Sequence, residues 1–214
     1  MKNLDNNSQL KIGVLAIQGN FAAHESALRA VGAEPIEIRT PEQLIGLDGL
    51  IIPGGESTTI LKFLERGDFF AKLQSFAQTQ PVFGTCAGCI LLAKDVQKPA
   101  QRSLGVLDVT VERNAYGRQN DSTILNEQTS LPGGPLEMVF IRAPRITKVS
   151  PAVEVLACRN GDPSLVREGT VMAATFHPEM SSGDTRVHQL FVDLVRAHKS
   201  KISPKMRDSI PAKQ

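Results

Sequence analysis

Short, almost wholly apolar runs recur in the first half of the chain and alternate with segments whose apolar positions lie three and four apart. Residues 11–17 and 49–52 are nearly continuous apolar runs, which predicts strands covered on both faces. Residues 33–39 alternate, which predicts a more exposed strand, and residues 21–31 and 69–77 have helical spacing. This order of elements predicts a parallel sheet with helices on both faces.

The second half has a different texture, in which apolar and polar positions alternate in shorter segments. Residues 122–134 are rich in loop-forming residues, and residues 184–198 have the spacing of an amphipathic helix. Strands are predicted at residues 105–112, 136–142, 153–158 and 171–176. The predicted fold is therefore α/β, with three layers, a mostly parallel central sheet flanked by helices, and additional antiparallel strands.

The segment with the most chemistry is residues 81–89, where a short apolar run leads through Gly84 to Cys86, and Gly88 precedes a helix-like run. Glycines on both sides of a cysteine, between a strand and a helix, have the shape of a nucleophile elbow. A cysteine there lies at a helix N-terminus, where free N–H groups and the helix dipole favour the reactive thiolate. Cys86 is the predicted nucleophile.

Two other interpretations of Cys86 remain open at this point. Cys86 and Cys89 form a Cys-x-x-Cys, which is also found in redox pairs, although such a pair does not need flanking glycines. A buried structural cysteine is the other alternative. The redox hypothesis predicts that Cys89→Ser abolishes activity, whereas the nucleophile hypothesis predicts a mild effect.

Three loops follow predicted parallel strands and should converge at one sheet edge, where open α/β sheets bind ligands. They contain Gln18 and Gly19, then Gly54, Gly55 and Glu56, and finally the elbow itself. A Gly-Gly pair after a buried strand can present backbone N–H groups to an oxyanion, although by itself it is more typical of an ordinary turn.

His177, Pro178 and Glu179 follow the last predicted strand. Pro178 keeps His177 extended, and residues two apart in an extended segment share a face, so Glu179 can reach the imidazole. This is the base and orienting group that a cysteine nucleophile needs. His24 is assigned to a polar position of its helix, and His188 and His198 are assigned to the solvated polar side of theirs.

Composition limits the classes of function. The 214 residues carry a net charge of +2, so no attraction to nucleic acid is expected, and 41% apolar content is enough for one core. Three cysteines do not form a disulfide framework, which favours the cytoplasm. No signal peptide, membrane span or metal-ligand cluster is evident, and no membrane contact is expected. Residues 1–10 are interpreted as a flexible extension, 11–199 as one domain and 200–214 as a basic flexible tail.

Taken together, residues 83–88, 53–58 and 176–179 resemble the class I, triad-type glutamine amidotransferases. Within that group, residues 13–19 and 111–119 resemble the glutaminase subunits of pyridoxal 5′-phosphate synthases. The resemblance extends over residues 11–199.

The resemblance implies hydrolysis of L-glutamine to L-glutamate and ammonia by a triad of Cys86, His177 and Glu179, with no cofactor and no metal. It implies an oxyanion hole made by the N–H groups of Gly55 and Ala87. The residues implied in glutamine binding are Gly54, Gly55, Glu56, Arg113, Ile141 and Arg142.

The implied partner is a synthase subunit that receives the ammonia to make pyridoxal 5′-phosphate, and Gln18 and Gly19 are the candidate elements that couple its docking to the site. Alternatives are a glutaminase subunit for histidine or nucleotide biosynthesis, which shares the triad, and a non-catalytic regulatory or binding protein. Intact Cys86, His177 and Glu179 argue against a binding protein.

Overall fold

A computed structural model describes residues 9–113, 115 and 122–207 of the chain, with side chains through residue 202. Its strands are β1 (Lys11–Leu15), β2 (Glu34–Ile38), β3 (Gly49–Ile52), β4 (Val82–Thr85), β5 (Ala93–Gln97), β6 (Leu107–Glu112), β7 (Ser122–Glu127), β8 (Leu136–Ile141), β9 (Arg145–Val149), β10 (Glu154–Arg159), β11 (Asp162–Glu168) and β12 (Val171–Ala174). Its α-helices are α1 (Phe21–Ala30), α2 (Ser57–Leu64), α3 (Phe69–Thr79), α4 (Ala87–Leu92) and α5 (Arg186–Arg207).

The central sheet has seven strands in the order β10-β11-β12-β4-β3-β1-β2. The five strands from β12 to β2 run parallel, and β11 and β10 extend the sheet antiparallel at one edge. A three-stranded sheet, β5-β6-β9, and a ribbon of β7 and β8 complete the fold. The predicted α/β fold, mostly parallel with additional antiparallel strands, is confirmed.

Both faces of the parallel strands are covered, as their continuous apolar runs predict. In β3, Leu50 and Ile52 join a core with side chains from α2, α3 and α4, while Ile51 joins a second core with side chains from α1 and α5. Successive strand residues point to opposite faces, so one strand contributes to both cores. The helices therefore form two outer layers around the sheet.

The sequence-based elements differ from the structure mainly in the second half. Residues 122–134 were expected to be loop-rich but contain β7, and the helix after Cys86 ends at Leu92 because Ala93 begins β5. Strands β9 and β11 were not predicted. Helix α5 continues to Arg207, into the stretch interpreted as a tail, while residues 208–214 lie outside the described part. No helix in the described ranges is long and apolar enough to cross a membrane.

Candidate active site

Four neighbouring parallel strands place the predicted chemistry at one edge of the central sheet. Strands β12, β4, β3 and β1 lie side by side and run the same way, so the residues that follow them share the carboxyl edge. Those residues are His177, Cys86, Gly54 and Gln18, in the spatial order of the strands.

Cys86 lies at the sharp turn between β4 and α4, with φ 49° and ψ −103°. Such backbone angles are costly for a residue with a side chain and are concentrated at functional sites. A Cβ on Gly88 would lie 2.0 Å from the carbonyl oxygen of Ile52, so only glycine lets α4 approach β3 this closely. The cysteine is 6% exposed, and its Sγ lies 3.8 Å from the carbonyl oxygen of Ile141, to which it donates. This geometry is that of a nucleophile elbow.

His177 and Glu179 meet directly beyond the end of β12. Nδ1 of His177 lies 2.8 Å from Oε1 of Glu179, whose side chain is wholly buried at the start of a 3₁₀ turn, Pro178–Met180. The backbone N–H of His177 donates to the carbonyl oxygen of Val139 at 2.8 Å, which anchors the imidazole segment to β8. Because Nδ1 is occupied by Glu179, Nε2 is the ring nitrogen left for Cys86.

The electrostatics of the pair favour a protonated imidazole. Burial lowers the pKa of His177, but hydrogen bonds with Cys86 and Glu179, together with their charges, outweigh it and raise the pKa to about 10. For Glu179, burial disfavours the charged carboxylate and so raises its pKa. The hydrogen bond from His177 and the charges of His24 and His177 outweigh burial and bring the pKa of Glu179 below its ordinary value. Glu179 is therefore an ionised acceptor at neutral pH.

The loop after β3 passes close to both reacting side chains. A Cβ placed on Gly54 would lie 2.4 Å from Cε1 of His177 and 3.3 Å from Cβ of Cys86. The absence of a side chain at this position therefore leaves room for the Cys86–His177 pair. The next residue, Gly55, has φ 139°, a conformation that favours glycine.

The loop after β1 holds the loop after β3. Oε1 of Gln18 accepts a hydrogen bond from the backbone N–H of Glu56 at 3.1 Å. A Cβ on Gly19 would lie 2.0 Å from the carbonyl oxygen of Gly54, so the two backbones are in direct contact. Movement of the loop after β1 would therefore displace the backbone at Gly54 and Gly55.

The side chains of Glu56 and Arg113 meet at the N-terminus of α2. Glu56 caps this helix by accepting from the backbone N–H groups of Thr58 at 3.1 Å and Thr59 at 2.8 Å. Burial raises the pKa of Glu56, but these hydrogen bonds bring it below the usual value. Nη2 of Arg113 donates to Oγ1 of Thr58 at 2.9 Å and lies 3.3 Å from Oε1 of Glu56.

The structure brings most of the predicted site residues to this edge, including Ile141 through its carbonyl oxygen. Arg142 has φ 45° and is exposed. Residues 111–119 carry part of the family resemblance, but residues 114 and 116–119 lie outside the described part, so the structure describes only residues 111–113 and 115 of this segment.

Sequence reasoning misplaced two histidines. His24 was assigned to a polar position of its helix and His188 to a solvated helix face, yet both are 0% exposed. Nε2 of His24 lies 3.3 Å from Oε2 of Glu179, and Nδ1 of His24 lies 3.0 Å from Nε2 of His188. The helical spacing contained the signal, because His24 lies four residues before buried Leu28, and His188 lies three before buried Phe191.

Comparison with known proteins gives one consistent family. The model of the SNO glutamine amidotransferase family matches residues 14–197. The chain is 60% identical over 188 residues to the pyridoxal 5′-phosphate synthase subunit PdxT of Koribacter versatilis, covering 87% of this chain and 96% of that protein. It is 48% identical over 189 residues to the subunit of the same name from Thermotoga maritima, covering 87% of this chain and 100% of that protein.

Comparison with solved structures also finds glutamine amidotransferases. A glutamine amidotransferase crystal structure superposes with a TM-score of 0.80 at 44% identity, covering 86% of this chain and 98% of that chain. A putative GMP synthase component from Thermoplasma acidophilum has a TM-score of 0.68 at 17% identity, covering 92% of this chain and 98% of that chain, which shows a shared fold only.

Proposed function

Because the chain belongs to the SNO glutamine amidotransferase family and is a glutaminase subunit of pyridoxal 5′-phosphate synthase, we propose that Cys86, His177 and Glu179 are its catalytic triad. The observation that carries this assignment is the 2.8 Å contact between His177 and Glu179, together with the position of Cys86 and the His177 imidazole side by side against Gly54. A nucleophile, its base and an orienting carboxylate therefore lie next to one another.

In the first half of the reaction, the thiol proton of Cys86 passes to Nε2 of His177, and the thiolate Sγ attacks the side-chain amide carbon of glutamine and forms a carbon–sulfur bond. The electrons of the carbonyl double bond move onto the oxygen. When the tetrahedral intermediate collapses, the carbon–nitrogen bond breaks and the protonated imidazole of His177 gives its Nε2 proton to the leaving amine, which departs as ammonia. The raised pKa of His177, about 10, supports its role as the acid at this step.

The oxyanion is assigned to two backbone N–H groups, those of Gly55 and Ala87. Ala87 is the first residue of α4, so its N–H has no partner within that helix. Gly55 lies in the loop that passes beside Cys86. Each such donor contributes about 3 kcal/mol to the stability of the transition state in related acyl transfers.

In the second half, His177 takes a proton from water, which attacks the γ-glutamyl thioester and releases glutamate and the Cys86 thiolate. Glutamine recognition is assigned to Gly54, Gly55, Glu56, Arg113, Ile141 and Arg142. Arg113 and Arg142 are the candidates for its α-carboxylate, since a guanidinium can pair with a carboxylate through two hydrogen bonds. Arg113 would then exchange its contacts with Glu56 and Thr58 for the substrate.

The ammonia is proposed to pass to a synthase subunit that incorporates it into pyridoxal 5′-phosphate. Gln18 and Gly19 are proposed to couple docking of that subunit to the loop after β3, residues 53–56, which is the proposed oxyanion loop. Their contacts with Glu56 and Gly54 support this, because they join the two loops. A cytoplasmic location is proposed as well, since a reducing compartment keeps the Cys86 thiol available.

The test is glutamate release from glutamine by the wild type and by Cys86→Ala, each alone and in the presence of the partner synthase subunit. We expect release by the wild type with the partner and none by Cys86→Ala. Equal release with and without the partner would leave the triad standing but contradict the coupling. Undiminished release by Cys86→Ala would overturn the triad.

A further inference from the structure

The buried carboxylate of Glu179 has two oxygens, and the triad uses only one. Oε1 contacts His177, while Oε2 forms no hydrogen bond with any residue in the described ranges. A buried carboxylate oxygen without a donor is costly, so the group facing it matters. That group is Nε2 of His24, 3.3 Å away, which also lies 3.2 Å from Oγ1 of Thr85 with hydrogen-bond geometry.

The contacts favour one placement of the protons on the two buried histidines. A ring nitrogen 3.3 Å from an ionised carboxylate oxygen must carry a proton, because two lone pairs at that distance would repel. Nε2 of His24 is therefore the N–H, which donates to Oγ1 of Thr85 and turns its positive end toward Oε2 of Glu179. In a neutral ring Nδ1 is then an acceptor, so Nε2 of His188, at 3.0 Å, must donate to it.

Burial keeps both rings neutral. It lowers the pKa of His24 to about 4, although the charge of Glu179 acts in the opposite direction. It also lowers the pKa of His188 to about 3. Besides His177 on its own segment, His24 from α1 and His188 from α5 are the titratable groups that act on Glu179 or on one another here. One hydrogen-bond direction is therefore maintained over the working pH range.

We propose that His24 and His188 are positioning residues of the active site, which hold the Glu179 carboxylate so that its Oε1 stays on His177. This assignment rests on the proposed function. Neither histidine touches the reacting atoms: His24 presents an N–H dipole to Oε2, and His188 holds the His24 ring in the required tautomer. The result is a continuous buried series from His188 through His24, Glu179 and His177 to Cys86.

The tautomers give a test that does not depend on activity. In long-range ¹H–¹⁵N correlation spectra of the protein at pH 7, we expect His24 and His188 each to show a protonated Nε2 and an unprotonated Nδ1. A protonated Nδ1 on His24 would overturn the proposal, because Nε2 would then have no proton to present to Glu179.

The kinetic test compares His24→Leu with His24→Gln in the complex with the synthase subunit. His24→Leu removes the N–H, so we expect kcat for glutamate release to fall about tenfold or more with KM unchanged. A loss of this size is found when residues that orient a metal-binding side chain are removed. The basic limb of its kcat/KM–pH profile should move to lower pH, since a displaced Glu179 no longer raises the pKa of His177. His24→Gln keeps an N–H at the position of Nε2 and should retain most of both properties.

His198→Gln is the matched control. His198 lies on α5, as His188 does, but does not belong to the buried series, and we expect wild-type kinetics from this variant. A wild-type kcat and pH profile in folded His24→Leu would overturn the proposal. If His24→Leu does not fold, the comparison of His24→Gln with the wild type and the ¹⁵N spectra decide. An inactive wild-type complex would instead refute the proposed function, while the tautomer assignment would be judged separately.

Discussion

At Gly54 the backbone of the oxyanion loop leaves no space for a side chain. The Cβ of Gly54→Ala would lie 2.4 Å from Cε1 of His177, so the imidazole must be displaced from Cys86. We expect kcat for glutamate release to fall about tenfold or more, because small displacements of reacting groups are costly. Steady-state kinetics of the complex measures this.

Gly46→Ala provides the contrasting control for Gly54→Ala. Its Cβ would meet nothing within 4 Å, but its φ of +79° is strained for alanine. It should therefore lose about 1 kcal/mol of unfolding free energy and keep its kcat. Wild-type kcat in Gly54→Ala would show that the imidazole is not constrained by this loop.

Cys89 separates the glutaminase from the redox interpretation of the Cys-x-x-Cys. It is 0% exposed, and burial, with a contribution from Cys86, raises the pKa of its thiol well above the ordinary value. Such a thiol is unreactive. We expect Cys89→Ser to lower the free energy of unfolding by about 1–3 kcal/mol, since it buries a hydroxyl, but to keep kcat within a few-fold. Loss of activity in a folded Cys89→Ser would favour the redox pair.

Among single residues, those with a local motif were predictable and those without one were not. Cys86 is marked by its flanking glycines, and His177 and Glu179 by their spacing around a proline. The helical spacing of His24 and His188 indicates only that they face the core; it does not identify them as partners, because they meet across 164 positions of sequence. Their partners are supplied by packing of α1 and α5 on the sheet.

At the scale of elements, the coupling proposal concerns the loops after β1 and β3. Gln18→Ala removes the acceptor of the Glu56 N–H, a hydrogen bond whose net contribution is about 1 kcal/mol. We expect partner-stimulated glutamate release to fall several-fold while the midpoint of thermal unfolding changes little. Kinetics with increasing amounts of the synthase subunit measures the effect.

Gln101→Ala is the matched control for this element. Gln101 accepts a hydrogen bond from Oγ of Ser57 at 2.9 Å at the start of α2, and both of its described hydrogen bonds join it to Ser57. Its stimulation by the partner should equal that of the wild type. If Gln18→Ala also keeps full stimulation, its side chain is not the coupling element.

Strands with continuous apolar runs were easier to predict than strands that depend on pairing with a distant segment. The parallel strands of the first half are buried on both faces, so their apolar runs mark them without ambiguity. Strand β7 alternates half-buried and exposed positions and, among the described strands, pairs only with β8, so its sequence is hard to distinguish from a loop. Strands β9 and β11 depend similarly on their partners β6, β10 and β12.

For the whole molecule, the buried histidines predict loss of stability in acid. An unfolded histidine takes up a proton near pH 6.5, whereas His24 and His188 resist protonation until about pH 4 and about pH 3. Between these limits the unfolded state binds more protons, so the free energy of unfolding must fall as pH decreases below 6.5. Urea unfolding at pH 7, 6 and 5 measures the slope.

His188→Gln removes one of these groups and should show a shallower fall over the same pH range. Gln189→Ala, a non-titrating change at the next, half-buried position of α5, should keep the wild-type slope. A slope in His188→Gln equal to that of the wild type would contradict the assignment of a neutral buried imidazole at this position.

The sequence by itself determined the order of strands and helices in the first half, the elbow around Cys86 and the family, because each depends on neighbouring residues or short motifs. Tertiary structure decided the antiparallel additions to the sheet, the clamp of Gln18 on the oxyanion loop and the burial of His24 and His188 behind Glu179. These features depend on contacts between distant segments, whose energy exists only once the sheet has brought α1, α5 and the loops to one edge.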